Sequence, residues 1–356
     1  MTHKERIKLA LDHKQTDRVP VGYASTLEAK NNLKNYLGID DDQKLFKRLG
    51  IDYQMIFPEF IGPKDLMFEI NWDHPGKDIW SIERREVRNL YGTYQEMFKH
   101  PLKEIKNVEE LEKFRWPNAE WFDFDRITKR IEEINKDEEY IIILYGGSIF
   151  EQSWYLRGLE QFFMDLLVNP DIAEKIIEHV FNFWISIINE SMRVASDKID
   201  AIYFGDDVAS QGGMLLSLDM FRKWIKPWHK KFYSISRDYG KKTLYHSCGS
   251  VEPVIEELLE IGLDILNPLQ FSARGFPSPE KLKEKYGDRL CFNGGMDIQT
   301  VLPFYSIEDI KKETERLIRI LGKNGGFILQ TTHNIQTDTP PEKIMAMYDA
   351  AISYKF

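Results

Sequence analysis

A histidine and a cysteine two positions apart form the clearest chemical pattern in the sequence. His246 and Cys248 follow an apolar run typical of a buried strand. Residues two apart on an extended strand project to the same side, so one imidazole and one thiolate could bind the same metal ion. His333, after the last such run, could supply a third ligand. Three protein ligands with one open position are typical of catalytic zinc, and we predict zinc at His246, Cys248 and His333.

The alternative interpretation of this pattern needs no metal. Cys248 would then be a small buried apolar residue, with His246 as a hydrogen-bonded neighbour. The second cysteine, Cys291, precedes Asn293 by two positions on another strand-like run, and we expect it to pack in the core. Cys291 is the soft ligand that would replace His333 if that histidine does not bind the metal.

Three carboxylates lie where acid–base chemistry would need them. Asp206 and Asp207 end one strand-like run, and Glu151 follows another after a Gly-Gly-Ser exit at 146–148. We predict these three as catalytic residues that move protons, bind the metal or orient a histidine. Two like charges cannot both be buried without partners, so at least one aspartate is expected to cap a helix or form an ion pair. Glu151 could instead favour a helix N-terminus.

Amide side chains at other strand ends predict substrate contacts. We expect hydrogen bonds to substrate from Asn267, Gln270, Asn293 and Gln336. Three aromatic residues are candidates for the walls of a cavity that holds a flat substrate, with core packing as the alternative: Trp154, Tyr155 and Phe271.

Strand-like runs must position these side chains, and they alternate with helical patterns along most of the chain. We count eight such runs: 18–24, 53–58, 140–147, 201–207, 242–249, 265–270, 289–294 and 326–332. The alternation predicts an α/β fold with a parallel sheet, and eight strands favour a closed (β/α)8 TIM barrel over an open doubly wound sheet. The C-terminal strand ends of a barrel surround its active site, which would bring the polar residues together.

Two segments fall outside this repeat. Thr2 and Glu5 form a capping box that opens an N-terminal helical lead-in. Residues 60–117 predict an insertion after the second strand, with turns at 71–76 and 89–94 and the alternation of a hairpin over 86–98. No linker composition marks a boundary, so we predict one domain over 1–356.

Composition excludes several classes of function. The 48 Lys+Arg and 57 Asp+Glu give a net charge of −9, which disfavours a nucleic-acid partner. No apolar stretch approaches the length of a membrane helix, and the charged N-terminus is unlike a signal peptide, so we expect a cytoplasmic protein. No glycine pattern indicates a nucleotide cofactor, and no Gly-x-Ser-x-Gly turn indicates an acyl-transfer serine.

Taken together, the motifs resemble the uroporphyrinogen decarboxylase superfamily over nearly the whole chain. Residues 245–250 read Tyr-His-Ser-Cys-Gly-Ser, 293–297 read Asn-Gly-Gly-Met-Asp, and 333–336 read His-Asn-Ile-Gln. The early Asp-Arg-Val-Pro at 17–20 and the Gly-Asp-Asp at 205–207 also match. The resemblance implies a (β/α)8 barrel, in agreement with the strand count.

Two branches of this superfamily, the decarboxylases and the methyltransferases, differ in their sequence motifs. True decarboxylases carry an arginine-rich segment after the first strand, whereas residues 21–28 here contain no arginine. The methyltransferase branch carries a His-x-Cys zinc motif, which His246 and Cys248 match, and a late cysteine, in whose neighbourhood this chain has His333. This departure points toward relatives that resemble the methyltransferases which demethylate aryl methyl ethers.

The resemblance therefore implies a zinc-dependent enzyme that moves methyl between a small-molecule donor or acceptor and a corrinoid (cobamide). The corrinoid is expected on a partner protein, because the chain has no Asp-x-His-x-x-Gly module. Two alternatives stay open: a decarboxylase of tetrapyrrole metabolism, and a non-catalytic binder of tetrapyrroles or corrinoids.

Overall fold

A computed structural model describes residues 1–70, 74–88 and 92–356. The strands are β1 (Tyr53–Ile56), β2 (Glu59–Phe60), β3 (Gly76–Lys77), β4 (Glu83–Arg88), β5 (Thr93–Lys99), β6 (Phe122–Asp123), β7 (Ile141–Tyr145), β8 (Ala201–Gly205), β9 (Ala209–Ser210), β10 (Gly213–Met214), β11 (Lys242–His246), β12 (Ile265–Asn267), β13 (Cys291–Met296) and β14 (Phe327–Thr331).

The helices connect and cover these strands. They are α1 (His3–Leu11), α2 (Leu27–Leu37), α3 (Asp42–Leu49), α4 (Val108–Leu111), α5 (Arg126–Ile134), α6 (Phe150–Arg157), α7 (Leu159–Val168), α8 (Pro170–Ala195), α9 (Leu218–Met220), α10 (Lys226–Asp238), α11 (Ile255–Glu260), α12 (Pro279–Tyr286), α13 (Val301–Phe304), α14 (Ile307–Leu321) and α15 (Pro341–Ser353). Among the described residues, none of the helices combines the length and apolar character needed to cross a membrane.

Seven strands form one parallel sheet in the order β1-β7-β8-β11-β12-β13-β14. Each of these strands is buried along most of its length, because helices cover the outer face, and strands such as β7 and β14 are rich in Ile, Leu and Phe. The result is an α/β fold with a curled parallel sheet, consistent with a TIM-like barrel. All C-terminal strand ends therefore point to one side.

The prediction of a regular strand at 18–24 was wrong. Within this segment, Val21 makes an isolated parallel bridge to Leu329, and its carbonyl accepts from the Asp52 N–H at 2.9 Å. A longer ladder does not form because Pro20 has no N–H to donate and the Val21 N–H donates to the Asp52 carboxylate at 2.8 Å. The segment nevertheless lies between β14 and the residue before β1, where it links the two edges of the sheet.

The N-terminal helix closes the opposite side of the sheet. The predicted capping box is confirmed, because Thr2 and Glu5 exchange side-chain to backbone hydrogen bonds at the start of α1. From this helix, Arg6 reaches the buried Asp52 with 2.5 Å between Nη1 and Oδ1, and Arg18 contacts the same carboxylate at 2.8 Å. These guanidiniums compensate a charge that would otherwise be costly to bury.

Between β1 and β7 the chain leaves the strand–helix repeat. The strands β4 and β5 pair antiparallel, from Glu83 opposite Lys99 to Arg88 opposite Thr93. Their connection, and part of both turns predicted in this region, lie outside the described residues.

The 26-residue helix α8 brings an indole to the open end of the sheet. Its apolar residues recur at three- and four-residue spacing, so one face packs on the core. Trp184 on that face lies against Gly147, whose φ is +85°. An added Cβ at Gly147 would lie 2.0 Å from Trp184 Cδ2, so only glycine allows this close approach.

Candidate functional site

A cavity of about 300 Å³ opens at the C-terminal ends of the sheet strands. Each of the seven sheet strands contributes at least one residue to its lining, and α6 contributes three. The polar and aromatic lining residues are Tyr53, Tyr145, Ser148, Glu151, Gln152, Tyr155, Trp184, Tyr203, Asp207, His246, Asn267, Asn293, Gln330, Thr331, Thr332, His333 and Asn334. The location is that of the active site in barrel enzymes.

Three potential metal ligands lie together at this end of the sheet, and two of them, Asp207 and His246, line the cavity. One ligand atom from each of Asp207, His246 and Cys248 lies within 4.8 Å of the other two. The Cys248 Sγ to His246 Nε2 distance is 3.4 Å, and His246 Nε2 lies 3.8 Å from Asp207 Oδ1. The same Asp207 oxygen accepts from the Cys248 N–H at 2.7 Å. The protein thus holds imidazole, thiol and carboxylate side by side.

A chain of amides fixes the orientation of the His246 ring. Asn267 Oδ1 accepts from His246 Nδ1 at 2.6 Å, and Asn267 Nδ2 donates to Asn293 Oδ1 at 2.6 Å. Asn293 Nδ2 in turn donates to the Ile328 carbonyl at 3.3 Å. Because Asn267 Oδ1 is an acceptor, this hydrogen bond requires a proton on Nδ1, and the tautomer that provides it has its lone pair on Nε2. We call these residues, His246, Asn267, Asn293 and Ile328, the amide relay.

If His246 binds a metal ion, as the sequence predicts, loss of the relay should weaken that binding although no ligand is changed. For Asn267→Leu we expect zinc affinity to fall by roughly 10–100-fold, the usual effect of losing the partner of a metal-binding histidine. Chelator competition measures this affinity. The matched control is Asn334→Leu, which alters an amide that lines the cavity outside the relay and should change affinity less than threefold. An equal loss in both variants would contradict the relay.

The electrostatics of the cavity favour a bound cation. Burial raises the pKa of the Cys248 thiol, and the carboxylates of Asp207 and Glu151 raise it further. Burial and the charge of Asp207 also raise the pKa of Glu151, whose carboxylate accepts from the Tyr155 hydroxyl. No lysine or arginine lines the cavity in the described parts of the chain. A divalent ion would offset these charges and stabilise the thiolate.

His333 lies close to this cluster without being part of it. Its ring centroid is 6.3 Å from that of His246, and it lines the same cavity. Burial and the neighbouring His246 lower the pKa of His333, which keeps the imidazole in its neutral, metal-binding form. The structure therefore brings Asp207 to the His246–Cys248 pair more closely than the predicted ligand His333.

The two adjacent aspartates have different environments. Asp206 is buried and is not among the residues that line the cavity. Its carboxylate accepts from the backbone N–H groups of Phe150 at 3.1 Å and Glu151 at 2.6 Å, and from His229 Nε2 at 2.7 Å. Asp206 thus caps the start of α6, the alternative allowed for one of the pair, whereas Asp207 faces the cavity.

The predicted substrate amides also separate into two groups. Asn267 and Asn293 line the cavity, where both belong to the amide relay. Gln270 instead accepts from the Gly249 N–H at 2.8 Å, and Gln336 donates to the Asn334 carbonyl at 3.2 Å. Neither of these two glutamines is a lining residue. Of the predicted aromatic walls, only Tyr155 lines the cavity.

Sequence reasoning missed most of the aromatic lining. Tyr145 stacks on Tyr203 with ring centroids 5.6 Å apart, and Trp184 meets Tyr145 edge to face at 5.6 Å. Tyr53 donates to Gln330 across the junction of β1 and β14. The available signal was a tyrosine within a buried apolar strand, such as Tyr145 or Tyr203, because a buried phenol hydroxyl needs a polar neighbour.

Comparisons with known proteins agree with this architecture. A family model described as Uroporphyrinogen decarboxylase (URO-D) matches residues 92–354. A solved methyltransferase from Methanosarcina mazei is similar in fold, with 19% identity, coverage of 99% of this chain and 98% of that one, and a TM-score of 0.68. An IOLI protein with a bound zinc atom aligns at 13% identity over 69% of this chain and 83% of its own, but its TM-score of 0.37 carries no argument.

None of the curated proteins compared with the chain matches it. The solved structures show a likeness of fold alone. The family match spans most of the chain and covers every residue that lines the cavity except Ala24, Tyr53, Met55 and Ile70. The chain belongs to the uroporphyrinogen decarboxylase family.

Proposed function

We propose that this chain is a zinc-dependent methyltransferase that moves a methyl group between a methylated small molecule and a corrinoid. The small molecule is an ether, an amine or a thiol. The observation that carries the proposal is the cluster of His246 Nε2, Cys248 Sγ and Asp207 Oδ1 at the strand ends, where His246 and Asp207 line the cavity. A methyltransferase with the same fold supports it.

The donor set fits zinc. Ligands bonded to one tetrahedral zinc ion at about 2.0 and 2.3 Å lie roughly 3.5 Å apart. The separations of 3.4 Å and 3.8 Å about His246 Nε2 agree with that value. We propose His246, Cys248 and Asp207 as ligands, with His333 and Glu151 as the neighbours that could complete the set. Zinc supplies a Lewis acid that polarises a leaving atom or stabilises a thiolate.

The side chains around the cluster orient the reacting groups. The amide relay presents His246 Nε2 to the metal, and Asp207 holds the Cys248 backbone. Burial and the neighbouring charge of Asp207 raise the pKa of Glu151 and so favour its protonated form, which can give a proton to a departing alkoxide or amine. In the transfer, the electron pair of the breaking bond to methyl stays with the leaving group, and the acceptor supplies the pair for the new bond.

The size of the cavity supports a corrinoid carried by a partner protein. At about 300 Å³ the cavity is at the small end of the range for ligand sites. It suits a small methylated molecule, whereas a corrinoid macrocycle would approach from the mouth. A separate corrinoid protein docking at that mouth meets this requirement.

A decarboxylase is the second candidate, because the family carries that name. The composition of the cavity disfavours it. A tetrapyrrole substrate with many carboxylates requires cationic partners, yet Glu151 and Asp207 line the cavity and no lysine or arginine does so within the described residues. The same argument disfavours a non-catalytic tetrapyrrole binder, while a corrinoid binder without methyl transfer stays an alternative for experiment.

The test combines metal analysis with a methyl-transfer assay. The purified protein should contain about one zinc per chain. It should then methylate free reduced cobalamin from at least one of a set of methyl ethers, methylamines and methyl thioethers, followed by absorbance of the corrinoid. Chelation should stop the reaction and added zinc should restore it. Turnover of uroporphyrinogen, or full methyl transfer by zinc-free protein, would overturn the proposal.

A further inference from the structure

We propose that this chain acts on a methylated molecule that carries a carboxylate at the end remote from the methyl group, and that a second cavity binds this acidic end. The second cavity has a volume of about 550 Å³ and is lined by residues of α2, α3, α5 and β1. Only the naming of the ligand as the methyl-bearing substrate rests on the proposed function. The second cavity shares six lining residues with the first cavity, at the strand ends: Ala24, Tyr53, Met55, Ile70, Gln330 and Asn334.

The second cavity lies at a gap in the wall of the curled sheet. Residues 22–25 pair on one side, toward β14, where the Gly22 N–H donates to the Leu329 carbonyl at 2.9 Å. Toward β1, on the other side, the described backbone forms no hydrogen bond with this segment. Because no ladder holds the segment against β1, space is left between them. Residues 23–25 line the second cavity from one side of the gap, and residues 53–55 line it from the other.

The second cavity supplies the cations that the first cavity lacks. Lys30 and Arg130 line it, whereas neither lysine nor arginine lines the first cavity within the described parts of the chain. Lys30 Nζ uses one of its three protons in the hydrogen bond to Asp42 Oδ2 at 2.7 Å, so two remain for a ligand. Ammonium and guanidinium groups both form charge-assisted hydrogen bonds with carboxylates, which makes a carboxylate the ligand group that suits this cavity.

The carboxylates of the second cavity do not cancel its positive charge. Two of them line it, Asp42 and Glu133. Lys34, which is not a lining residue, donates to the other oxygen of Asp42 at 2.9 Å, and Lys129, also outside the lining, lies 3.9 Å from Glu133. Each carboxylate therefore has a lysine partner from outside the cavity, and the two lining cations remain to attract an anionic ligand.

The same cavity offers apolar contacts to the chain of such a ligand. Tyr23, Phe46 and Ile134 line it, and all three are partly buried against the core. A ligand whose carboxylate lies at Lys30 would extend along these side chains and through the gap, with its methyl end toward the metal cluster. The length and the charge of the ligand are therefore the properties to vary.

Isothermal titration with methyl ethers of graded length tests the inference. The acids are methoxyacetate, 6-methoxyhexanoate and 9-methoxynonanoate, and each is compared with the alcohol of the same chain length. We expect the acid and the alcohol of the shortest pair to bind alike, because methoxyacetate cannot span both cavities. For at least one longer pair the acid should bind about tenfold more tightly, the scale of one charge-assisted hydrogen bond. This preference should be the same in the zinc-loaded and the chelated protein.

Two lysines that share Asp42 give a matched pair of variants. Lys30→Met removes a cation that lines the second cavity, whereas Lys34→Met removes its neighbour outside the lining. Asp42 keeps one lysine partner in either variant, so both should fold. We expect Lys30→Met to reduce the acid preference to about twofold or less, and Lys34→Met to change it by less than about twofold. At exposed positions, Arg130→Gln should lower the preference about threefold and Lys129→Gln should leave it unchanged.

The outcomes separate this inference from the proposed function. Equal binding of every acid and its alcohol would overturn the inference, and so would equal effects of Lys30→Met and Lys34→Met in folded proteins. A preference that is largest for methoxyacetate and disappears on chelation would place the carboxylate on the metal and would also overturn it. Because the titration needs no turnover, a preference for the longer acids without any methyl transfer would overturn the function alone. Methyl transfer from neutral ethers without that preference would overturn the inference alone.

Discussion

Replacing either His246 or Cys248 by alanine is expected to abolish zinc binding and methyl transfer together. Each substitution removes one donor atom of a cluster whose atoms lie within 4.8 Å of one another, and two remaining ligands hold zinc poorly. A Lewis acid contributes several kcal/mol to such chemistry, so loss of about 4 kcal/mol would slow transfer roughly 1,000-fold. Elemental analysis gives the metal content, and the corrinoid assay gives the rate.

A second pair of variants identifies the third ligand. If Asp207 binds the metal, Asp207→Asn should lower zinc affinity far more than His333→Ala, since His333 lies outside the cluster. The reverse order would make His333 the ligand, as the sequence alone predicts. Cys291→Ala is the control for thiol content, because this cysteine is buried in the core. Retention of one zinc per chain in both the His246 and Cys248 variants would refute the site.

The largest loss of stability should come from Asp206→Ala, although Asp206 does not line the cavity. This carboxylate is buried and accepts hydrogen bonds from two N–H groups at the start of α6 and from His229. Its removal leaves these donors buried without partners, which should lower the free energy of unfolding by about 3–5 kcal/mol. Urea denaturation of the metal-free protein measures the change without a contribution from zinc binding.

The adjacent residue supplies the matched control. Asp207→Ala loses one hydrogen bond, from the Cys248 N–H, at a partly exposed position, so it should cost about 1 kcal/mol. The two variants should thus differ in which property they lower. Asp206→Ala should mainly lower the free energy of unfolding, and Asp207→Ala should mainly lower zinc affinity. Similar stability losses in the two variants would argue against the capping role of Asp206.

The sequence predicts strands well where apolar runs are long. Seven of the eight predicted runs overlap a strand of the sheet, because buried parallel strands are rich in apolar residues. The run at 18–24 fails for a reason that lies far along the chain. The Val21 N–H donates to the Asp52 carboxylate instead of to a neighbouring strand. No pattern in the sequence around Val21 predicts this hydrogen bond.

Function-bearing residues are harder to assign than strands. The sequence places Asp206 and Asp207 at the same strand end but does not show which of them faces the cavity. Side chains alternate along a strand, so the sequence indicates only that one of the two faces inward. The side chains of Gln270 and Gln336 bond to nearby backbone, a choice set by loop conformation. Tyr145 and Tyr203 read as core aromatics until the sheet pairs them as neighbours in register.

The amide relay forms only when the strands that carry it pair in the correct register. Its residues lie on one rung of the sheet, with His246 opposite Asn267 and Asn293 opposite Ile328. A slip of one residue in any of these strands would turn its side chains to the other face. A slipped molecule would keep its content of helix and strand but present no bare imidazole nitrogen beside Cys248. Catalytic competence in this protein therefore reports that four strands have paired in a single register.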